Sequence, residues 1–351
     1  MLARINYLTW SAITTTLIFG VIACQPPKQS TTSTEETTSA KALPGEGVKV
    51  HPAHGGLPEE SFRAEIVSTA LKQLGYQVEP VSALDYSAKL LAIANGDLDY
   101  TVTHWEKNHK GFFEKSGGEQ KLERVGAIIP RMLQGYQIDK KTADDYQINN
   151  LAQLKDPKIA KLFDSNGDGK ANLVGCDPGW GCEGIIEYHL EAYGLQDNVT
   201  HDQGKYPALI ADVVTRYRQG EPVLYYTWTP YWLGAVLKPD EDVVWLEVPN
   251  TDLPEAQGEL TVADTSIEGK NLGFPVDRMR IVASQQFLSA NPSAKHLFEL
   301  MEISPEDMSA ESLRIKEGED RPEDIRRHAE EWIERHQELF DSWVEQAKKA
   351  G

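Results

Sequence analysis

The sequence predicts an α/β fold with mixed sheets that is divided into two lobes. Segments with the patterns of strands and of helices alternate along most of the chain, an order typical of helices packed on sheets. The body from residue 43 to residue 351 is also longer than one hydrophobic core usually supports, which favours two lobes. No segment repeats with a period of about 20–50 residues, which argues against a solenoid or a propeller.

The first helix illustrates how the elements are predicted. In residues 61–74 (SFRAEIVSTALKQL) apolar side chains recur three and four positions apart, as on the buried face of an amphipathic helix. Gly75 follows, where glycine can end a helix in a left-handed conformation at low cost. Similar patterns predict helices at 86–94, 150–154, 183–193, 208–219, 294–301 and 322–349. Strands are predicted at 48–52, 76–79, 100–103, 131–138, 173–175, 223–228, 243–248 and 279–283.

Residues 1–23 have the pattern of an export signal. One cation, Arg4, precedes an uncharged stretch that is short for a helix crossing a bilayer, which needs about 20 apolar residues. The stretch ends in VIAC, which resembles a bacterial lipobox, so we predict a lipoprotein anchored to a membrane through Cys24. A conventionally cleaved signal and an uncleaved membrane anchor are the alternatives. Residues 24–42 are rich in threonine and serine, as in a flexible tether.

Composition restricts the ligand class and the compartment. The chain has 35 lysine and arginine residues against 54 aspartate and glutamate residues, a net charge of −19, which argues against nucleic-acid binding. Three cysteines are present, and Cys24 belongs to the lipobox. The other two, Cys176 and Cys182, favour a disulfide in an oxidising compartment. Half of a metal site is the weaker alternative, since no second cysteine pair accompanies them.

Three tryptophans stand at strand ends or in loops, where ligand sites cluster in α/β folds. They are Trp105, after a predicted strand, Trp180, between two glycines, and Trp228, at the end of the run VLYYTW. Aromatic faces attract a quaternary ammonium group, which has no N–H to donate, by about 0.5–2 kcal/mol per ring. Packing in the core is the alternative for each tryptophan taken singly.

A carboxylate on the same ligand would need hydrogen-bond donors. The loop that contains Trp180 leads into a helix predicted from Glu183. Because N–H groups at a helix N-terminus bind anions, the backbone of Gly181 and Cys182 is a candidate carboxylate site. A disulfide from Cys176 would hold this loop in the donating geometry.

Long stretches of the chain resemble one family of transport proteins. The most specific are residues 134–184, residues 225–232 (YYTWTPYW) and residues 271–279 (NLGFPVDRM), with LPGEGVKV at the start of the body. They are similar to the periplasmic glycine betaine/proline betaine-binding proteins of osmoprotectant ABC importers. The resemblance implies a monomeric receptor without cofactor or catalysis, facing the periplasm or cell exterior, that delivers a betaine to an ABC permease and its ATPase.

The resemblance also implies roles for single residues. In that family three tryptophans enclose the quaternary ammonium, and a histidine and two backbone N–H groups bind the carboxylate. The matching positions are Trp105, Trp180 and Trp228 for the ammonium, His109, Gly181 and Cys182 for the carboxylate, and Cys176 and Cys182 for the family's disulfide.

The fold implied is that of a type II periplasmic-binding protein, with two α/β lobes joined by two crossings. We place the crossings near 135–138 and 272–276. Lobe one then comprises 43–136 plus 275–351, and lobe two comprises 137–274. The ligand would bridge the lobes, so that closure and binding are one equilibrium.

The chain departs from the family between Trp105 and His109, where Glu106, Lys107 and Asn108 replace Thr-Pro-Leu. Loss of the proline predicts a looser turn, and the new charges predict a changed affinity or head-group preference. The lipobox and the tether also differ from the freely periplasmic form of the family.

A competing motif is DSNGDGK at 164–170, which begins like a calcium loop with oxygen ligands at Asp164, Asn166 and Asp168. The twelfth position is Gly175 instead of a bidentate glutamate, so an Asx-rich turn without metal is the preferred interpretation.

Two further hypotheses about the function are a receptor of the same architecture for choline, carnitine or another quaternary ammonium, and an enzyme using the same cleft. No nucleophile elbow, zinc helix or Rossmann fingerprint supports the enzyme.

Overall fold

The computed structural model describes residues 42–351. The predicted export signal at 1–23, the anchor at Cys24 and the tether up to residue 41 lie outside the described residues. In residues 42–351 no helix is long and apolar enough to cross a membrane.

The eight predicted strands are present near their predicted positions, because short apolar runs bounded by turn residues are strong strand signals, whereas the strands at 82–83, 199–202, 266–267 and 270–271 were not predicted. Within the described residues they are β1 (Lys49–Val50), β2 (Pro52–His54), β3 (Gln77–Val78), β4 (Ser82–Ala83), β5 (Tyr100–Trp105), β6 (Leu122–Asp139), β7 (Ala171–Val174), β8 (Val199–Asp202), β9 (Leu224–Thr229), β10 (Val243–Leu246), β11 (Ser266–Ile267), β12 (Lys270–Asn271) and β13 (Asp277–Ser284).

Nine of these strands form one mixed sheet. Its order is β4-β2-β5-β13-β6-β9-β7-β8, with β10 also paired to β6. Strand β2 runs parallel to β4 and β5, and β7 runs parallel to β8 and β9. Strands β13, β9 and β10 run antiparallel to β6. The predicted α/β class with mixed sheets is confirmed.

Strand β6 is 18 residues long and extends well beyond the predicted 131–138. Residues 122–132 of this strand pair with β13, and residues 133–139 pair with β9 and β10. The strand therefore runs through the first predicted crossing. The second predicted crossing lies between β12 and β13. The division into two lobes stays a prediction.

The helices of the described residues lie among the strands up to β13, and the last five follow one another after it. They are α1 (Pro58–Gln73), α2 (Tyr86–Asn95), α3 (Lys110–Lys115), α4 (Lys140–Tyr146), α5 (Pro157–Ala160), α6 (Gly181–Ala192), α7 (Tyr206–Arg218), α8 (Leu233–Val236), α9 (Val262–Thr265), α10 (Gln285–Ala290), α11 (Pro292–Leu300), α12 (Pro305–Lys316), α13 (Pro322–Arg335) and α14 (Gln337–Lys348). The predicted helix at 150–154 is a short 3₁₀ helix, Leu151–Lys155.

The single helix predicted at 322–349 was wrong, because the structure has α13 and α14 there. His336 separates them with φ −114°, and its ring stacks on Trp332 with 4.3 Å between the ring centroids. The break allows α13 to pack on α1 and α14 to pack on α11, which buries Trp332 and Trp343. After Pro322, at the start of α13, residues 323–349 contain no glycine or proline that would signal a break in the sequence.

Helix α1 carries charged side chains into the protein interior. Glu59, Glu60 and Arg63 are 9%, 2% and 4% exposed, although such residues are rarely buried without partners. Helix α12 covers this end of α1, and Ser312 Oγ donates a hydrogen bond to Glu59 Oε1 at 2.8 Å. These buried charges form one wall of the cavity described next.

Candidate functional site

One cavity contains all six residues that the sequence assigned to ligand binding. Its empty volume of about 610 Å³ includes solvent at the mouth. The predicted residues that line it are Trp105, His109, Trp180, Gly181, Cys182 and Trp228. They come from four separate parts of the fold, the end of β5, the turn before α3, the start of α6 and strand β9.

The three tryptophans reach the cavity from different elements. Trp105 ends strand β5, Trp228 lies in strand β9, and each is 8% exposed. Trp180 directly precedes helix α6. The ring centroids of Trp180 and Trp228 lie 5.9 Å apart, with an angle of 66° between the ring planes. Two indoles at such an angle form adjoining aromatic walls.

Tyrosine rings hold Trp228 in place. Its ring centroid lies 4.6 Å from that of Tyr206 and 4.5 Å from that of Tyr231. The hydroxyl of Tyr206 donates to the carbonyl oxygen of Tyr226 at 3.0 Å, and its backbone N–H donates to Asp177 Oδ1 at 2.6 Å. Because these contacts fix the indole before a ligand arrives, little conformational entropy is lost on binding.

The predicted disulfide between Cys176 and Cys182 is present, with 6.5 Å between the Cα atoms. It closes the loop that contains Trp180 and brings the chain into helix α6, which begins at Gly181. The N–H groups of the first helical turn have no partner within the helix. Gly181 and Cys182 therefore present unpaired donors at the cavity wall.

Reduction of this disulfide is expected to weaken glycine betaine binding by about twofold to tenfold, because the loop would lose part of its preorganisation. The measurement is a calorimetric titration of the oxidised and the reduced protein. The double variant Cys176→Ala/Cys182→Ala keeps the backbone donors and serves as the control, since reductant should not change its affinity. An unchanged dissociation constant on reduction would show that the loop keeps its shape without the bond.

His109 follows the turn after β5, and Trp105 orients its ring. The backbone N–H of His109 donates to the carbonyl oxygen of Trp105 at 2.9 Å, and that of Trp105 donates to His109 Nδ1 at 3.4 Å. Burial, and to a lesser degree the charge of Lys89, holds the pKa of His109 well below its usual range. The neutral ring accepts at Nδ1 and therefore carries its proton on Nε2.

The turn between β5 and α3 is held by Asp277 at the start of β13. The carboxylate accepts hydrogen bonds from the backbone N–H groups of Lys107 at 3.0 Å, Asn108 at 2.9 Å and Arg278 at 2.8 Å. Burial raises the pKa of Asp277 to about 6, and the three donors oppose this shift. Glu106 also forms an ion pair with Arg278. These contacts fix the turn, although the missing proline had predicted a looser one.

Asp277→Ala is expected to lower the free energy of unfolding by about 2 kcal/mol, because three backbone donors lose a buried acceptor. We also expect the variant to bind glycine betaine about tenfold more weakly, since the turn positions His109. Chemical unfolding and calorimetric titration measure the two effects. Asp156→Ala is the matched control, because its carboxylate caps helix α5 through Lys158 N at 2.8 Å, outside the residues that line the cavity. Unchanged affinity in Asp277→Ala would contradict the positioning role.

Tyr86 is a cavity residue that the sequence analysis missed. It is the first residue of α2, and its ring centroid lies 4.6 Å from that of His109 and 6.1 Å from that of Trp180. Its hydroxyl donates to Glu60 Oε1 at 2.8 Å. An aromatic residue at the start of an amphipathic helix has no distinctive pattern, so no sequence signal pointed to it.

Asn108 and Tyr226 also line the cavity and were missed. Asn108 Nδ2 donates to Gln134 Oε1 at 3.0 Å, and the hydroxyl of Tyr226 donates to the same oxygen at 2.8 Å. Gln134 lies in β6, opposite Trp228 in β9. This network connects the turn that carries His109 with the strands that carry Trp228.

In the calcium-like loop the candidate oxygens accept bonds from the loop's own backbone. Asp164 accepts from the N–H groups of Gly167 and Gly169, and Asn166 Oδ1 accepts from that of Asp168 at 2.9 Å. Asp168 Oδ1 accepts from Lys170 N at 2.8 Å. This is the arrangement of an Asx-rich turn. In residues 42–351 no group of three or more histidine, cysteine or acidic side chains is placed to hold a metal.

Comparison with known proteins gives consistent results. Residues 48–335 match the family described as the substrate binding domain of ABC-type glycine betaine transport systems. The glycine betaine-binding periplasmic protein OusX of Dickeya dadantii is 48% identical over 313 residues, which cover 89% of this chain and 93% of that protein. The glycine betaine/proline betaine-binding periplasmic protein of Escherichia coli is 48% identical over 314 residues, 89% of this chain and 94% of its own.

Solved structures with much lower identity share the fold. Lactococcal OpuAC in its closed conformation with glycine betaine has a TM-score of 0.64 at 19% identity, covering 85% of this chain and 99% of its own. A choline-binding protein of an ABC transporter, in complex with choline, has a TM-score of 0.66 at 16% identity, covering 86% and 94%. The predicted periplasmic-binding-protein fold is therefore confirmed.

Proposed function

We propose that this chain, which belongs to the family of substrate-binding domains of ABC-type glycine betaine transport systems, captures glycine betaine or proline betaine and delivers it to an ABC importer for osmoprotection. The observation that carries the proposal is the convergence of three tryptophans, one neutral histidine and a helix N-terminus on one cavity. The ligand is bound and released unchanged.

The aromatic part of the cavity suits the quaternary ammonium. Three methyl groups hide the charge of this nitrogen, so hydrogen bonds cannot recognise it, whereas indole faces attract its diffuse charge. Trp105, Trp180 and Trp228 are the proposed contacts, with Tyr231 and Tyr206 supporting the last of them. Each ring contributes about 0.5–2 kcal/mol, depending on how far water is excluded.

The polar part of the cavity suits a carboxylate. His109 offers an N–H at Nε2, and Gly181 and Cys182 offer backbone N–H groups at the first turn of α6. Charge-assisted hydrogen bonds of this kind contribute about 1.5–3 kcal/mol each. Choline has no carboxylate, so these donors favour betaines over choline.

The site joins segments from both predicted lobes. Trp105 and His109 belong to lobe one (43–136 plus 275–351), whereas Trp180 to Cys182 and Trp228 belong to lobe two (137–274). A ligand held between them would favour the closed form by its contacts to both lobes. We further propose that the protein acts as a monomer and that its closed form is recognised by the permease with its ATPase.

The proposed location is outside the cytoplasm, as the names of the periplasmic relatives indicate. We propose in addition that Cys24 is lipid-modified and anchors the protein to a membrane through the tether. Cell fractionation tests the anchor. The wild-type protein is expected in the membrane fraction and Cys24→Ala in the soluble exported fraction, and an identical distribution of both would refute the lipoprotein.

Titration with a ligand panel tests the function. We expect glycine betaine and proline betaine to bind about tenfold or more tighter than choline, because the carboxylate contacts exceed about 1.4 kcal/mol. Unmethylated glycine is the control for the ammonium and should not bind measurably. Binding of choline or carnitine without binding of a betaine would overturn the proposed cargo, and turnover of a betaine would establish an enzyme instead.

A further inference from the structure

Lys89 is a buried cation without a hydrogen-bonding partner. It lies in helix α2 and is 0% exposed, and its Nζ has no hydrogen-bond partner within residues 42–351. A buried ammonium group without a partner costs several kcal/mol and is rare in folded proteins. It makes a cation–π contact, 4.4 Å from the ring centroid of Tyr86, and the charge of Glu60 also attracts it.

Tyr86 connects this charge to the ligand cavity. The Tyr86 ring is also a neighbour of His109, whose ring centroid lies 4.6 Å away, and both residues line the cavity. Lys89 itself does not line it. The ammonium group therefore lies one aromatic ring behind the wall that presents the His109 donor. Because the whole path is buried, solvent and salt screen the charge only weakly.

We propose that Lys89 is a specificity-determining residue, whose buried charge favours ligands that present a carboxylate at His109 over cations such as choline that lack one. The inference rests on the proposed betaine-binding function and deepens it. Lys89 acts through space and through the orientation of Tyr86, so it is a positioning residue without direct ligand contact.

The neighbouring charges do not cancel this effect. The titratable and charged groups around Lys89 are His54, Glu59, Glu60, Arg63, Tyr86, His104 and His109. Burial keeps His104 and His109 neutral by holding the pKa of each well below its usual range. Glu60 and Arg63 carry opposite charges and offset each other in part, and burial raises the pKa of Glu59, which favours its neutral form. Lys89 is the cation beside the Tyr86 ring, and its charge adds to burial in lowering the pKa of His109.

The betaine-to-choline affinity ratio isolates the action on the carboxylate, because both ligands share the trimethylammonium group. A unit charge about 8–10 Å away through buried protein changes this ratio by about fivefold to twentyfold. Burial lowers the pKa of Lys89 to about 8, opposed by Glu60. As pH rises through this value Lys89 loses its charge, so the ratio should fall, because the attraction for the carboxylate disappears while the effect on the shared ammonium group cancels in the ratio.

The test compares wild type with Lys89→Met, which keeps the length of the side chain and removes the charge. Calorimetric titrations with glycine betaine and choline give the ratio for each protein at about pH 7.0 and about pH 9.5. These values lie about one unit or more on either side of the Lys89 pKa. We expect Lys89→Met to lower the ratio at least about fivefold at the lower pH and to abolish its pH dependence. Lys72→Met, which removes an exposed lysine of α1, is the matched control.

Two results would overturn the inference. One is an equal weakening of both ligands in Lys89→Met, which would indicate a structural role only. The other is a wild-type ratio that does not change with pH, which can be measured even if Lys89→Met fails to fold. If the wild-type protein bound no betaine at all, the proposed function would fail instead, so the two failures are distinguishable.

Discussion

Trp228→Ala is expected to weaken glycine betaine binding about tenfold or more. The substitution removes one aromatic face from the ammonium site, which contributes about 0.5–2 kcal/mol. It also removes the ring that packs against Tyr206 and Tyr231, at 4.6 Å and 4.5 Å between ring centroids, so the neighbouring tyrosines lose a fixed contact and binding carries a larger ordering cost. Calorimetric titration of the folded variant measures the loss.

A graded variant and a neutral ligand separate the aromatic attraction from simple loss of contact area. Trp228→Phe keeps an aromatic face and should lose less affinity than Trp228→Ala. Tert-butylacetate has the shape of glycine betaine but no ammonium charge. Wild type should bind glycine betaine more tightly than this compound, because a neutral head group gains nothing from the ring quadrupole. This difference in affinity should be smaller in Trp228→Ala. An unchanged preference would contradict the assignment of Trp228 to the ammonium site.

His109→Ala is expected to weaken glycine betaine binding by about tenfold to a hundredfold while changing choline binding less than about threefold. The loss corresponds to one hydrogen bond to a charged group, about 1.5–3 kcal/mol. The neutral ring can supply that bond, because Trp105 N donates to Nδ1 and leaves the proton on Nε2. Titration of both ligands into both proteins gives the two changes.

Two controls accompany this variant. His109→Gln keeps an N–H donor at the end of the side chain and should recover part of the betaine affinity. His296→Ala removes an exposed histidine of α11 and should leave both ligands unaffected. Equal losses for betaine and choline in His109→Ala would mean that His109 supports the cavity without binding the carboxylate.

The sequence predicted the α/β class and most element positions because hydrophobic periodicity reports burial directly. It also identified the three tryptophans, which stand beside glycines or at strand ends, and the backbone of Gly181 and Cys182 before a predicted helix, whereas His109 came from the resemblance to the family alone. The resemblance to the family then assigned their roles. The disulfide could be predicted because Cys176 and Cys182 are the two cysteines that remain once Cys24 is assigned to the lipobox.

Other features depend on tertiary packing and left no local signal. Glu59 and Glu60 have the ordinary pattern of acidic residues in the first turn of a helix, yet α12 and the cavity wall bury them. His104 also lies inside β5 and is 0% exposed. Lys89 looks like a solvated lysine on an amphipathic helix, and only its position beside Tyr86 connects it to the site.

The length of β6 and the break between α13 and α14 were missed for a related reason. Residues 122–130 include charged residues and pair with β13 in the centre of the sheet. Register shifts in this pairing interrupt the alternation of apolar and polar residues that would signal a strand. His336 ends α13, where its ring stacks on Trp332, and the chain then turns so that α13 packs on α1 and α14 packs on α11. Such boundaries are set by packing between distant segments.

A crystal structure of the complex with glycine betaine tests the central claim most directly. We predict the quaternary nitrogen within about 6 Å of the ring centroids of Trp105, Trp180 and Trp228. The carboxylate oxygens should lie about 3 Å from His109 Nε2 and from the backbone nitrogens of Gly181 and Cys182. A betaine bound outside this cavity, or bound with its carboxylate among the tryptophans, would contradict the account.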